Sequence, residues 1–172
     1  MTLSATDLLL APGQTSVITA TSTPAAVSYV WTLNGSVLAG VTGNTFTANV
    51  DRQGTYVVTA RTAAGCTSSA AMAGTITIGS EASDRLWIYP NPSKGVFQVR
   101  LYYAGLTTEE RVVSIFTSSG QLVGKKTFYL DNVTSPYLQM DFDLSSLASG
   151  TYVVKVHNTH SDQIVSGLVI IQ

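Results

Sequence analysis

Apolar and polar residues alternate along most of this chain with the two-residue period of a strand. No window repeats them with the period of an amphipathic helix. In the first half the alternation predicts strands over residues 16–22, 27–33, 45–48, 54–60 and 69–78. Asn34-Gly35 is a strong hairpin signal, because both residues tolerate the positive φ of a tight hairpin turn. In the second half the pattern predicts about seven strands, over 86–89, 96–103, 112–116, 121–129, 137–142, 151–157 and 163–171. Thr117-Ser118-Ser119-Gly120 supplies a turn between the third and fourth of these. β-branched residues and glycines crowd both halves, which disfavours helix. The single helical candidate is one turn at 144–148, which Asp143 or Ser145 would cap by accepting from exposed N–H groups. Short strands at regular spacing predict an all-β chain of two antiparallel β-sandwiches in tandem.

Composition sharpens this picture. Charged residues make up 11% of the chain, against about 25% in an average domain. Hydroxyl-bearing and small residues take their place, which suits an extracellular β protein. The net charge of −1 creates no field that would draw in nucleic acid, so nucleic acid is not an expected partner. Charge also steps along the chain. Residues 1–79 carry only Asp7, Asp51, Arg52 and Arg61, and every other charge lies beyond them. The polar run Gly79-Ser80-Glu81-Ala82-Ser83-Asp84 falls at that step. The predicted organisation is a first domain over 1–79, a linker over 80–85 and a second domain over 86–172.

Two motifs stand out in the second half. Tyr89-Pro90-Asn91-Pro92-Ser93-Lys94-Gly95 is a rigid turning device: each proline fixes φ and pushes the preceding residue towards extended backbone. Asn91 has a side chain suited to a local turn, and Gly95 reaches conformations that other residues adopt only at a cost. About fifty residues later, Asp143-Leu144-Ser145-Ser146-Leu147-Ala148-Ser149-Gly150-Thr151-Tyr152 reads as a capped turn, a glycine and a strand opening at Tyr152.

These residues resemble the C-terminal sorting domain of cargo proteins of the bacterial type IX secretion system. Tyr89, Pro90, Asn91, Pro92 and Gly95 match the family's first motif. The segment 113–123, with Gly120 at its turn, matches the middle strand-turn-strand. Asp143, Leu144, Ser145, Leu147, Gly150 and Tyr152 match the late motif. The chain departs from the family at its end, where Ser166-Gly167 and Gln172 stand in place of the lysines often found around the last strand. The resemblance implies a seven-stranded sandwich that acts as a folded, non-catalytic signal. Its implied partners are the secretion machinery, a cell-surface sortase and a lipopolysaccharide anchor. It implies export through the periplasm to the cell surface or medium, and no cofactor. Cleavage is expected within Gly79, Ser80, Glu81, Ala82, Ser83 and Asp84, because exposed polar linkers are what proteases reach. The cargo's own activity and its export leader are expected upstream of residue 1.

The first half resembles the immunoglobulin-like or PKD-like modules of large secreted bacterial proteins. Val30-Trp31-Thr32-Leu33-Asn34-Gly35, Gly54-Thr55-Tyr56 and Gly65-Cys66 carry that likeness. In immunoglobulin-like sandwiches a core Trp lies on the third strand and a Tyr opens the sixth. The usual cysteine pair would fall near Ile18 and Val58, which are aliphatic here. A spacer or adhesive stalk is the first expectation for this module, and carbohydrate binding as part of a larger surface enzyme is the alternative. Gly-Thr-Tyr-Val-Val occurs at 54–58 and again at 150–154, and strand preference explains it better than duplication.

Other chemistry-bearing residues read as structural. Cys66 is the one cysteine, so no disulfide forms within the chain, and burial as a small hydrophobe is expected. His157, His160 and Asp162 lie in a polar loop with no common face for a metal. Asp141 and Asp143 alternate at a strand end, where carboxylates usually serve solvation rather than glycoside chemistry. Asn34-Gly35-Ser36 and Asn132-Val133-Thr134 fit a glycosylation pattern by chance. Tyr102-Tyr103 and Trp87 suggest a sugar-stacking platform, but adjacent strand residues face opposite ways, so the two tyrosines are not expected to stack on one ligand.

Overall fold

A computed structural model describes residues 1–63, 65–67, 73–131 and 136–172. The chain divides into two compact units, Met1–Glu81 and Ala82–Gln172. Both are built of strands, and among the described residues the only helical element is a single 3-10 turn at Val50–Arg52.

In chain order the first unit holds β1 (Thr2–Ala5), β2 (Leu9–Leu10), β3 (Thr15–Thr21), β4 (Ser28–Leu33), β5 (Ser36–Val37), β6 (Thr45–Asn49), β7 (Gly54–Arg61) and β8 (Gly74–Ser80). One sheet has the order β1-β3-β6 and the other β2-β8-β7-β4-β5. The pairs are antiparallel except β2 with β8. Alternate residues of each strand turn inward. Ile18, Trp31, Phe46, Tyr56, Val58 and Ile78 form the core. Trp31 keeps its indole N–H satisfied by donating to Gly43 O at 2.8 Å, which is what allows so large a side chain to sit fully buried. The expected hairpin is present: Asn34 and Gly35 have φ of 49° and 83°, and β4 pairs with β5 across them. Asn34 also accepts from Thr55 N at 2.9 Å, so this side chain has a structural partner.

Four expectations are revised here. Strands β1, β2 and β5 were not legible, since each is short and β2 pairs through two residues only. The last strand of the unit runs Gly74–Ser80, and residues 69–72 of the expected span lie outside the described residues. Gly79 and Ser80, read as linker, belong to that strand: Gly79 N donates to Leu8 O and Glu81 N to Leu10 O. The stretch without strand structure begins at Glu81. Cys66 is exposed, not buried. A tight turn closed by Gly65 N to Thr62 O and Thr62 N to Cys66 O carries it out of the sheet, with Gly65 at φ 80°.

The second unit holds β9 (Trp87–Tyr89), β10 (Val96–Arg100), β11 (Glu109–Thr117), β12 (Leu122–Leu130), β13 (Met140–Asp143), β14 (Gly150–Asn158) and β15 (Ile164–Ile171). These are the seven expected strands; β11 and β14 run longer than expected, β12 and β13 end one residue later, and β9, β10, β13 and β15 are trimmed. They form a four-stranded sheet, β12-β11-β14-β15, and a three-stranded sheet, β13-β10-β9. The inward residues of both sheets meet in one core around Phe97, Val99, Val113, Ile115, Met140, Phe142, Val154 and Val169. Phe97 and Phe142 stack at 5.6 Å across the β10–β13 pair. The expected helical turn at 144–148 is a plain turn closed by Leu147 N to Leu144 O at 3.0 Å. Asn132-Val133-Thr134 lies outside the described residues.

The repeated Gly-Thr-Tyr-Val-Val has the same use in both units. The hydroxyl of Tyr152 donates to Ala148 O at 2.7 Å, and that of Tyr56 donates to Arg52 O. Each Tyr thus pins the turn four residues before it, the corner device of β-sandwiches. Burial pushes the Tyr56 phenol up to about 12, against the opposing pull of the Arg52 charge. An unfolded tyrosine ionises near 10. The folded unit therefore holds this proton to higher pH than the unfolded chain does. The stability contributed is complete below pH 10 and is lost as pH rises towards 12. The unfolding midpoint of the first unit is expected to fall between pH 9.5 and pH 11.5, and to fall less in Tyr56→Phe. Equal falls in both proteins would show that Tyr56 is not the responsible group.

Candidate functional site

The two motifs of the second unit are brought together by the sheet that joins them. β10 and β13 pair in register from Val96 opposite Asp143 to Val99 opposite Met140. Strand pairing thus places Gly95, just before β10, beside Leu144 and Ser145, just after β13. Leu144 N donates to Gly95 O at 2.8 Å. A Cβ on Gly95 would lie 2.4 Å from Ser145 Cα and 2.5 Å from Ser145 N, and Gly95 has φ 93°. Only glycine meets both demands. Asp143 then closes the late motif, accepting from Ser145 N at 3.1 Å and Ser145 Oγ at 2.7 Å. The Ser145 hydroxyl, followed by its backbone N–H, holds the Asp143 carboxyl below the usual carboxylate range. Leu144 and Leu147 pack against the core from this turn.

Asn91 does something other than the local capping expected of it. Its side-chain amide donates to Leu168 O at 2.8 Å, and its Oδ1 accepts from Ile170 N at 2.9 Å. The carboxamide therefore imitates one rung of a β ladder along the outer edge of β15. Ser93 continues the ladder with backbone groups: its N–H donates to Ile170 O at 2.8 Å and its carbonyl accepts from Gln172 N at 2.9 Å. Pro90 and Pro92, which have no N–H to offer, each stand directly before one of the two residues that make these bonds. Both X–Pro bonds of the motif, Tyr89-Pro90 and Asn91-Pro92, are cis. The motif is in effect a short parallel strand clasped to the end of the chain's last strand.

Ser93 is the residue that sequence reasoning missed. It is buried, and its hydroxyl accepts from Gly95 N at 3.0 Å. The available signal was a serine directly after proline in a turn, a position where a hydroxyl commonly bonds nearby backbone. Tyr89 pairs opposite Gln98 and lies under the Arg100 guanidinium at 5.8 Å. Gly120 stays apart from the other motif residues. It sits at the tip of the β11–β12 hairpin with φ 87° and open space around it. Gly150 opens β14, and Tyr152 buries its ring two residues on.

Asn91→Ala removes two hydrogen bonds at an exposed edge. It is expected to destabilise the second unit by about 1–2 kcal/mol. Amides of 168–172 should exchange faster by a factor that those of β11 do not share. Uniform acceleration over the whole unit would contradict a local clasp.

The other chemistry-bearing residues are placed plainly. His157 Nε2 lies 3.2 Å from Asp162 Oδ1, while His160 uses its backbone N–H to reach Asn158 Oδ1. Among the described residues, no three His, Cys, Asp or Glu side chains converge as metal ligands would. Asp141 Oδ1 accepts from Gln139 Nε2 at 2.7 Å. Tyr102 meets Tyr137 edge-on, Tyr103 donates to Thr107 O, and the Arg85 guanidinium covers the ring of Trp87 at 4.5 Å. These aromatics are occupied by protein partners.

Residues 87–171 match the family described as the secretion system C-terminal sorting domain. No curated protein matches the chain. Among solved structures, the chain is similar to latent PorU from Porphyromonas gingivalis, at 11% identity and a TM-score of 0.43, over 99% of this chain and 20% of that one. It is also similar to PorZ, a surface component of the type IX secretion system of the same organism, at 17% identity and a TM-score of 0.35, over 67% and 15%. A glycosyl hydrolase family 2 member from Bacteroides cellulosilyticus is similar at 14% identity and a TM-score of 0.35, over 92% and 24%. The chain thus spans a quarter or less of the length of these structures. A family match across nearly the whole second unit, on the strands that carry both motifs, is specific where the fold likeness is not. The second unit is a C-terminal sorting domain of the type IX secretion system, and the protein that bears it is exported to the cell surface or the extracellular medium.

Proposed function

We propose that residues 82–172 act as a folded address that the type IX machinery reads from its surface after export to the periplasm, and that a cell-surface sortase then removes it. The family match over residues 87–171 carries this reading. A sorting domain is a signal, not a catalyst, so its chemistry is that of shape and hydrogen-bonding edges. The motif residues serve that role indirectly: Gly95, Asp143 and Ser145 lock two turns together, and Asn91 fastens the last strand. Cleavage falls in residues 82–85, where the chain leaves β8 and has not yet entered β9. The released cargo is attached to a lipopolysaccharide anchor.

The first unit is the last module of the cargo, an immunoglobulin-like spacer. Its support is the position of Trp31 on β4 in the core and the Tyr56 corner at the start of β7.

Stopping the chain after residue 81 is expected to leave it in the periplasm of a host that has the type IX system. Mass spectrometry of the exported full-length product should find its new C-terminus within 82–85. Export of the shortened chain at normal levels would refute the address, and an uncut product at the surface would refute the cleavage step alone.

A further inference from the structure

The last strand, β15, departs from the strict alternation that β13 keeps. β13 reads Met140-Asp141-Phe142-Asp143, with apolar residues inward and carboxylates in water. β15 reads Ile164-Val165-Ser166-Gly167-Leu168-Val169-Ile170-Ile171, apolar at both parities. A strand covered on one face alternates, whereas a strand covered on both faces reads as a nearly continuous apolar run. Val169 and Ile171 fill the core, yet Leu168 is 57% exposed and Ile170 41% exposed on the other face.

The exposed residues are not scattered. Strand register sets Leu122 opposite Phe116, Phe116 opposite Val153, and Val153 opposite Leu168. This is one apolar row across all four strands of the sheet. The neighbouring row, two residues along, reads Lys125, Ser114, Lys155, Ser166. The Lys155 ammonium leans over the Phe116 ring at 5.4 Å. The acids of this face, Glu110 and Asp162, stand beyond those rows, Glu110 opposite Tyr129 and Asp162 beside His157.

We propose that this outer face, the apolar row of Phe116, Val153 and Leu168 with Lys125 and Lys155 alongside, docks a protein partner that presents an apolar strip bordered by carboxylates. The proposal rests on the sorting reading and names the face that is read. A flat apolar row of this kind gains by burial, and the adjacent lysines select an acidic rim. An anionic membrane is the poorer occupant. Membrane recruitment by charge takes clusters of about 4–8 basic residues, whereas this face offers two lysines and two acids.

The test uses the full chain in a type IX host, with exported fraction and second-unit unfolding midpoint both measured. Leu168→Ser with Ile170→Ser makes the β15 end of the apolar face polar, and Lys125→Glu with Lys155→Glu reverses the charge. All four side chains point to solvent, so the midpoint should hold within a few degrees. Export should fall at least tenfold in each double variant, and Lys125→Gln with Lys155→Gln should fall between. Folded variants exported within twofold of the parent would overturn the proposal. So would Leu168-dependent binding to vesicles of equal phosphatidylglycerol and phosphatidylcholine, or a Leu168-dependent dimer on sedimentation at 100 μM. If the chain stopped after residue 81 is itself exported, the sorting reading has failed, which is a different result from normal export of the face variants.

Discussion

Gly95→Ala is expected to destabilise the second unit by about 2–5 kcal/mol, the sum of about 1–2 kcal/mol for an L-residue held at left-handed φ and about 1–3 kcal/mol for overpacking. The clash is with backbone: the new methyl would sit 2.4 Å from Ser145 Cα, and neither turn can swing aside without breaking the Leu144–Gly95 bond. Gly120→Ala is the matched control. It has a similar φ, 87°, but nothing lies within 4 Å of its added Cβ. That substitution should cost only the backbone term, about 1–2 kcal/mol. Denaturant unfolding followed by hydrogen exchange of second-unit peptides separates the two. Equal costs at the two glycines would mean that the junction of the motifs is loose and that Gly95 serves only to turn the chain.

Removing β15 by stopping the chain after Gln163 is expected to unfold the whole second unit while leaving the first intact. The deletion strips β14 of its partner from Gly150 opposite Ile171 to His157 opposite Ile164. It takes Val169 and Ile171 from the core, at about 1.5–3 kcal/mol each. It also leaves Asn91 and Ser93 with nothing to clasp. A unit of this size is stable by only about 5–13 kcal/mol, so these losses together consume most of its margin. Exchange protection should vanish across β10, β11 and β14, and remain in β3, β4 and β7. Protection of β11 in the shortened chain would show that β15 is an appendage and not part of the fold.

Much of the architecture was legible because the chain keeps strand periodicity almost throughout. Phe97-Gln98-Val99 and Val113-Ser114-Ile115 alternate cleanly, and both lie in strands with their apolar residues inward. What stayed hidden was short or long-range. Leu9-Leu10 is a strand only because Gly79-Ser80 lies beside it, and two residues carry no period of their own. Asn91 looked like a turn-capping residue because asparagine usually bonds nearby backbone. Its partners lie 77 and 79 residues away, and no local rule finds them. Gly95 was rightly marked as special for its backbone, but the close approach of Ser145 that makes it irreplaceable comes from the β10–β13 register. Cys66 followed the habit of free cysteines to be buried only until the turn at Gly65 carried it outward.

The first unit shows the same division. Trp31 and Tyr56 announced themselves by size and position, and both are fully buried. The hydroxyl bond from Tyr56 to Arg52 recurs from Tyr152 to Ala148, so the shared Gly-Thr-Tyr-Val-Val reports a common corner.

A folded β unit, recognised by its exterior, is expected to suffice for export. Fusing residues 82–172 behind a fluorescent reporter with a periplasmic leader, and measuring reporter fluorescence at the surface and in the medium of a type IX host, decides this. Export is expected with the parent unit, and retention in the periplasm with the same unit unfolded by Gly95→Val. Equal export of reporter by both, or retention of both while the parent unit is folded, would contradict it.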